Sequence, residues 1–363
     1  MGFDSFLGNT KAVAVVRGML ASGRLPGALL FAGPDGVGKK TLALMLAKAL
    51  NCERRKDDFC GECPRCRNAE EMLAASREDL ARRREIKESQ RRVEGLVYFD
   101  LQLIEPLTRY ILIEQIRQLR NVAYTRPFEF PRRMFVLDQA QAIHWQAIDL
   151  LLKVLEEPPE TTSFILICPN AYELRPTIRS RCQRVPFVPV EEAIISKLLS
   201  EERRLTSRQR ALAARVAAGS VARAKALDIA EFELRRRPWL DFLEGVAAQP
   251  QHPQAPINWK LLFDSTKALT ENRDTFEETL KMGYALLRDL MEVSERGAEA
   301  QLVNLDLLAR LRAWAGRLGF RGIERIKGGL DQAYRLQIRN VNQQLGLDTT
   351  AIELLSGDRQ ELL

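Results

Sequence analysis

The sequence predicts an α/β domain built on a parallel sheet flanked by helices, followed by a small group of helices and then an all-helical C-terminal domain. Three observations predict it. Short apolar runs rich in β-formers alternate with helical patterns through the first half. A glycine-rich loop separates the first such run from the first strong helical pattern. Beyond Glu191 no convincing strand remains, and apolar residues recur at helical spacing. A chain of 363 residues is also too long for one core, so two or three domains are expected.

Taken in order, residues 28–32 form a continuous apolar run, which reads as a buried strand ended by the glycines that follow. Residues 41–50, rich in Leu, Ala and Lys, read as a helix. Further strands are expected at 97–104, 134–137 and 163–168. Helices are expected at 114–123 and at 147–157, the second halted by Pro158 and Pro159. Residues 67–92 interrupt this scheme with eight basic and six acidic residues and few apolar positions. That composition predicts an exposed helix or a partly disordered insertion. Residues 191–228 read as a helical group, 249–256 as a Pro/Gln-rich linker, and 276–291 and 305–318 as helices.

Composition excludes several classes. With 55 Lys and Arg against 48 Asp and Glu, the net charge is +7. That excess is compatible with nucleic-acid work and too small to establish it. Two histidines disfavour histidine catalysis and His-rich metal sites. The N-terminus shows neither a basic n-region nor an apolar h-region, and 41–50 is half the length of a membrane span. A cytoplasmic protein is expected, in which clustered cysteines are metal ligands before they are disulfides.

The segment Gly33-Pro34-Asp35-Gly36-Val37-Gly38-Lys39 satisfies GxxxxGK between a strand and a helix, the context that makes it a phosphate loop. Gly33, Gly36 and Gly38 let the backbone turn its N–H groups inward, and Lys39 supplies a point charge. Two departures bear on hydrolysis. Position 40 calls for a hydroxyl to hold magnesium and is Lys40, with Thr41 one residue too late and turned about 100° away. Asp138 suits the acidic position after the third strand, but the following residue is Gln139, an amide that cannot act as a base. The loop is therefore read as a scaffold, with binding of ATP or ADP left open.

Cys52, Cys60, Cys63 and Cys66 have the spacing C-x7-C-x2-C-x2-C. Two overlapping C-x2-C pairs with Gly61 and Pro64 at turn positions predict a closed four-sulfur structural site for Zn2+. An iron–sulfur cluster is the rival occupant. Cys168 and Cys182 are expected to pack as small apolar residues.

Taken together these residues resemble the clamp-loader branch of the AAA+ proteins. Five stretches carry the resemblance. They are Gly23-Arg24-Leu25-Pro26 leading into the loop, the cysteine module placed after the loop helix, 151–159, 174–183 with Ser180-Arg181-Cys182, and 340–355. The resemblance implies an AAA+ P-loop domain over 1–187, carrying a zinc module at 52–66 and a charged insertion at 67–95. A helical lid over 188–230 and a helical collar over 231–363 follow. It also implies roles: Asn170 as sensor 1, Arg223 with Gly219 and Ser220 as sensor 2, and Arg181 as an arginine finger given to a neighbouring subunit's ATP site. A guanidinium suits that task because its planar fork is always charged. The implied partners are the gamma/tau and delta subunits in a hetero-oligomeric ring, with the sliding clamp and primed DNA reached through the complex. Lys40 and Gln139 mark a ring member that does not hydrolyse ATP itself. The alternative is an active gamma/tau-like ATPase. A free-standing DNA-binding protein is a third reading, opposed by the modest charge and the lack of an aromatic-studded basic groove.

Overall fold

The computed structural model describes residues 2–85, 100–202, 205–247, 257–272, 275–338 and 343–360. Expectations for 86–99, including the start of the second predicted strand and the end of the charged insertion, lie outside the described residues. So do the 249–256 linker and the start of the 340–355 stretch.

The N-terminal unit spans Met1–Leu198 together with Ala218–Lys225. Its centre is a five-stranded parallel sheet in the order β2-β3-β4-β1-β5. The strands are β1 (Ala28–Ala32), β2 (Leu101–Ile104), β3 (Arg133–Leu137), β4 (Thr162–Cys168) and β5 (Gln183–Pro186). Every residue of β1, β3 and β4 is buried, as continuous apolar runs require when helices cover both faces of a sheet. Phe135 and Phe164 stack at 5.5 Å within that core. The sequence gives no sign of β5. Its Gln183-Arg184-Val185-Pro186 buries Val185 alone, and a proline is tolerated there because the strand lies at the sheet's edge.

The helices of this unit are α1 (Thr10–Ala21), α2 (Lys39–Leu50), α3 (Pro64–Glu85), α4 (Ile113–Ala123), α5 (Ile148–Glu156) and the single turn α6 (Pro176–Arg179). Helix α1 had no sequence expectation. Up to Glu85 the charged stretch is helical as α3, and it is less exposed than its composition suggests. Leu73, Ser76, Asp79, Leu80 and Arg83 form a buried face. Asp79 and Arg83 tolerate that burial by pairing with each other at 2.6 Å. The face lies along β2, the outer strand. There the Ser76 hydroxyl receives the Leu103 N–H at 3.0 Å and donates to the Leu103 carbonyl at 3.4 Å.

Between α2 and α3, the cysteine segment is fixed by Asp58, whose carboxylate accepts the Phe3 and Phe59 N–H groups at 2.9 and 2.8 Å. The Phe3 and Phe59 rings meet edge to face at 5.9 Å. After β5 come α7 (Glu192–Glu202), α8 (Ser207–Val216) and α9 (Val221–Ala226). Residues Ala218–Lys225, which include most of α9, belong to the N-terminal unit and dock on the glycine loop, Ala222 N–H to Gly36 O at 3.1 Å.

The second unit, Leu199–Ala217 with Ala226–Leu363, has helices and no strand among its described residues. It holds α10 (Ile229–Ala247), α11 (Trp259–Thr270), α12 (Phe276–Arg296), α13 (Leu308–Ile338) and α14 (Gln343–Gln360). Helix α13 is broken at Gly319, whose φ of 61° leaves the helical region. Trp239, Phe242, Phe276, Leu290 and Trp314 are buried in its core. Asp289 is fully buried and satisfied by the N–H groups of Val303 and Asn304 and the Asn304 amide. Among the described residues no helix is long and apolar enough to cross a membrane.

Candidate nucleotide site and metal centre

The glycine loop leaves β1 and turns into α2 as the motif predicts. Gly33 has φ 156°, and a Cβ there would stand 2.3 Å from the Phe187 carbonyl oxygen. Gly36, at φ 76°, leaves the same kind of no room against the Ser220 hydroxyl, 2.0 Å from where its Cβ would be. Only glycine fits either position. A cavity of about 740 Å³ opens beside the loop, and Gly36, Gly38, Lys39, Lys40, Thr41 and Asp138 line it. Six of the sequence-predicted site residues are thus brought to one place.

Lys39 is only 6% exposed. Its ammonium donates to the Gly33 carbonyl, to the Pro34 carbonyl at 2.7 Å and to Asp35 at 3.3 Å. Lys40 points to the ends of two strands. Its Nζ bonds Glu105 Oε1 and lies 3.4 Å from Asp138 Oδ2. Glu105 and Asp138 follow Ile104 and Leu137, which are register partners in β2 and β3. The two carboxylates therefore stand side by side at the carboxyl ends of adjacent strands. Arg84, near the end of α3, holds the other oxygen of Glu105 at 2.6 Å. Burial alone would raise the Glu105 carboxyl. The bond and charge of Lys40, then those of Arg84, outweigh it and hold the group below the ordinary carboxylate range.

These residues do not fit a hydrated magnesium ion. The position that should offer a hydroxyl offers an ammonium, and that ammonium already stands against both acids. Gln139 takes φ 54° and bonds the Asp138 carboxylate only through its backbone N–H, at 3.0 Å.

The remaining predicted residues lie away from the cavity wall. Asn170 is exposed, and its side chain caps the turn after β4 by accepting the Tyr172 N–H at 3.0 Å. Arg223 is exposed, its N–H held by Ser220 at 3.2 Å. Lys225, two residues on, lines the cavity instead. Arg181 donates to the Thr177 carbonyl at 2.8 Å and pairs with Glu156 at 2.5 Å, both side chains part exposed. Sequence reading missed Glu105, Arg84, Gln141 and Lys225. Glu105 had a usable signal, since an acid directly after a parallel strand points to the ligand end of a sheet. Arg84 had none, being one of many charges in its segment.

At the other end of α2, the Sγ atoms of Cys52, Cys60, Cys63 and Cys66 all lie within 4.8 Å of one another. Cys60 and Cys66 are 4.0 Å apart. Four sulfurs around one ion at about 2.3 Å stand about 3.8 Å apart, so the cluster can hold one metal ion. The Cys60 sulfur accepts the Cys63 N–H at 3.3 Å and the Cys63 sulfur the Cys66 N–H at 3.4 Å. Backbone N–H groups of Glu62 and Cys63 pull the Cys60 thiol down to about 6, while burial pushes Cys66 up to about 12. Burial likewise raises Cys168 to about 11 and Cys182 to about 12.

Comparison with known proteins accords with this geometry. The family described as DNA polymerase III, delta subunit, matches residues 8–191. The gamma/tau subunit of Mycoplasma pneumoniae DNA polymerase III is 27% identical over 201 residues, 55% of this chain and 26% of its own. The delta' subunit of Bacillus subtilis is 30% identical over 179 residues, 49% of this chain and 47% of its own. The chain thus spans from about a quarter to about half of the length of these relatives. A solved gamma-subunit-related protein of Thermotoga maritima aligns at 15% identity with a TM-score of 0.45, over 95% of this chain and 99% of that one. With half of its length matched by that family and a phosphate loop folded on a parallel sheet, the chain belongs to the DNA polymerase III delta-subunit family of clamp-loader proteins.

Proposed function

We propose that the chain is a delta-prime-like subunit of the DNA polymerase III clamp loader, one that does not hydrolyse ATP itself. The observation that carries this reading is Lys40, whose ammonium is held by Glu105 and stands 3.4 Å from Asp138. A fixed cation at that position, followed by the amide of Gln139, leaves neither a metal seat nor a base for the attacking water. The chain's partners are then the gamma/tau and delta subunits, and its work is to help load the sliding clamp onto primed DNA in the cytoplasm. The cysteine centre holds a structural zinc ion, favoured by four sulfurs and no open position.

Arg181 is the finger given to a neighbouring ATPase subunit. Its pairing with Glu156 is between part-exposed groups, and such pairs are worth about 1 kcal/mol or less. A γ-phosphate carries more charge and draws the guanidinium away.

Two assays test the reading. Steady-state ATPase measurement on the isolated chain is expected to show no turnover. Turnover abolished by Lys39→Ala would overturn the proposal in favour of an active gamma/tau-like ATPase. In a reconstituted loader, Arg181→Ala is expected to lower turnover by at least about tenfold, against the ~10³–10⁵ that a finger can be worth at its own site, with assembly intact. Undiminished turnover removes the finger.

A further inference from the structure

We propose that the cavity beside the phosphate loop binds a nucleoside di- or triphosphate without magnesium, with Lys40 as the built-in counter-cation. The inference rests on the reading of the chain as a non-hydrolysing subunit, and it deepens that reading by naming the ligand species the site takes.

The argument begins with what a divalent ion needs. Magnesium binds oxygen ligands in an octahedron and bridges the phosphates to the protein. Here the candidate protein oxygens are engaged. Glu105 gives one oxygen to Lys40 and the other to Arg84 at 2.6 Å. Asp138 gives one oxygen to the Gln139 N–H at 3.0 Å, and its other faces the Lys40 ammonium at 3.4 Å. Thr41, the nearest hydroxyl in sequence, is exposed and begins the next step of the helix. An ion seated at these carboxylates meets an ammonium it cannot displace without also breaking the Glu105 pair, and the two cations repel. A metal-free nucleotide meets the opposite field. It carries more negative charge than its magnesium complex, and on the cavity wall Lys39, Lys40 and Lys225 outnumber Asp35 and Asp138.

Two further observations fit a nucleotide. The cavity volume of about 740 Å³ lies within the range of small-molecule sites. On its wall, the Gln141 Oε1 atom is buried and accepts no hydrogen bond among the described residues. A buried acceptor without a donor is costly, and rotation of the Gln141 side chain toward the cavity would let a ligand donor satisfy it. Lys39 completes the site: its bonds to the Gly33 and Pro34 carbonyls hold the ammonium over the loop, where a phosphate can recruit it.

The test is a titration of the full chain with fluorescent MANT-ADP, followed by anisotropy, in millimolar magnesium and again in excess EDTA. The expected result is saturable binding in EDTA that is at least as tight as in magnesium. Tightening by magnesium of more than about twofold, or no saturable binding in either buffer, overturns the inference. The variant Lys40→Thr is expected to weaken binding in EDTA and to make it magnesium-dependent. If that variant does not fold, the wild-type comparison still decides. Lys39→Ala is expected to lose binding in both buffers, and its retention would place the nucleotide elsewhere and sink the proposal. Magnesium-dependent binding without turnover removes this inference alone, whereas ATP turnover by the isolated chain removes the non-hydrolysing reading on which it rests.

Discussion

The phosphate loop and the cysteine module sit at opposite ends of one helix, α2, and they treat their sequence motifs differently. In the module every motif residue converges: four sulfurs gather within 4.8 Å, and backbone N–H groups orient two of them. In the loop the backbone follows its motif, with the glycines in place and Lys39 over the turn. The side chains that would perform chemistry do not. A lysine occupies the metal position, and an amide follows the acid. The difference teaches that a loop's fold and its chemistry are separable. Glycines decide the backbone path, whereas one or two side chains decide whether a metal can sit there.

The comparison can be broken at the module first. Cys63→Ala removes one of the four clustered sulfurs from a buried position. It is expected to abolish the stoichiometric metal content and to destabilise the chain by about 4 kcal/mol or more, the range of a lost structural metal. Metal analysis and denaturant unfolding measure both. Retention of one metal per chain would show that the sulfurs are not its ligands.

The loop is expected to answer next. Gly33→Ala places a methyl against the Phe187 carbonyl oxygen at φ 156°, a region almost reserved for glycine. The expected cost is about 2–3 kcal/mol, read as a shift of the unfolding midpoint with the metal content unchanged. A shift below about 0.5 kcal/mol would mean that the loop is not held as described.

The smallest effect concerns Glu105. Its folded pKa is depressed by Lys40 and Arg84 against the opposing effect of burial. Its contribution to stability is therefore present above the ordinary carboxylate pKa and lost as pH falls through the folded value. Wild type is expected to exceed Glu105→Gln in stability near neutral pH, and the gap is expected to close on acidification below the ordinary range. A gap that stays constant with pH would show that charge is not what Glu105 contributes.

These elements also show what could be read from residues alone. Strands β1, β3 and β4 were legible because both their faces are buried, so apolar runs could mean little else. Strand β5 was not, since three of its four residues are exposed and its pairing with β1 is a property of topology. The cysteine quartet was legible from spacing. At the loop, the sequence named the substitution at Lys40 but not its partners. Glu105 reaches that lysine across 65 residues of chain and Arg84 reaches Glu105 across 21, through strand register and helix packing that local patterns do not encode. The charged composition of α3 misled in the same way. Its charges are partly internal, and its buried face is spelled by only a few apolar positions.

Helix α3 has a consequence for anyone who trims this protein. An outer strand of a sheet offers a row of free peptide groups to any passing strand, and folded proteins must blunt such rows. On β2 the blunting is done by Ser76, whose one hydroxyl answers both peptide groups of Leu103, with the rest of the helix laid over the edge. Excising the cysteine module together with its helix removes more than a metal site. It leaves an adhesive strand in solution, and the shortened chain is expected to self-associate through that edge.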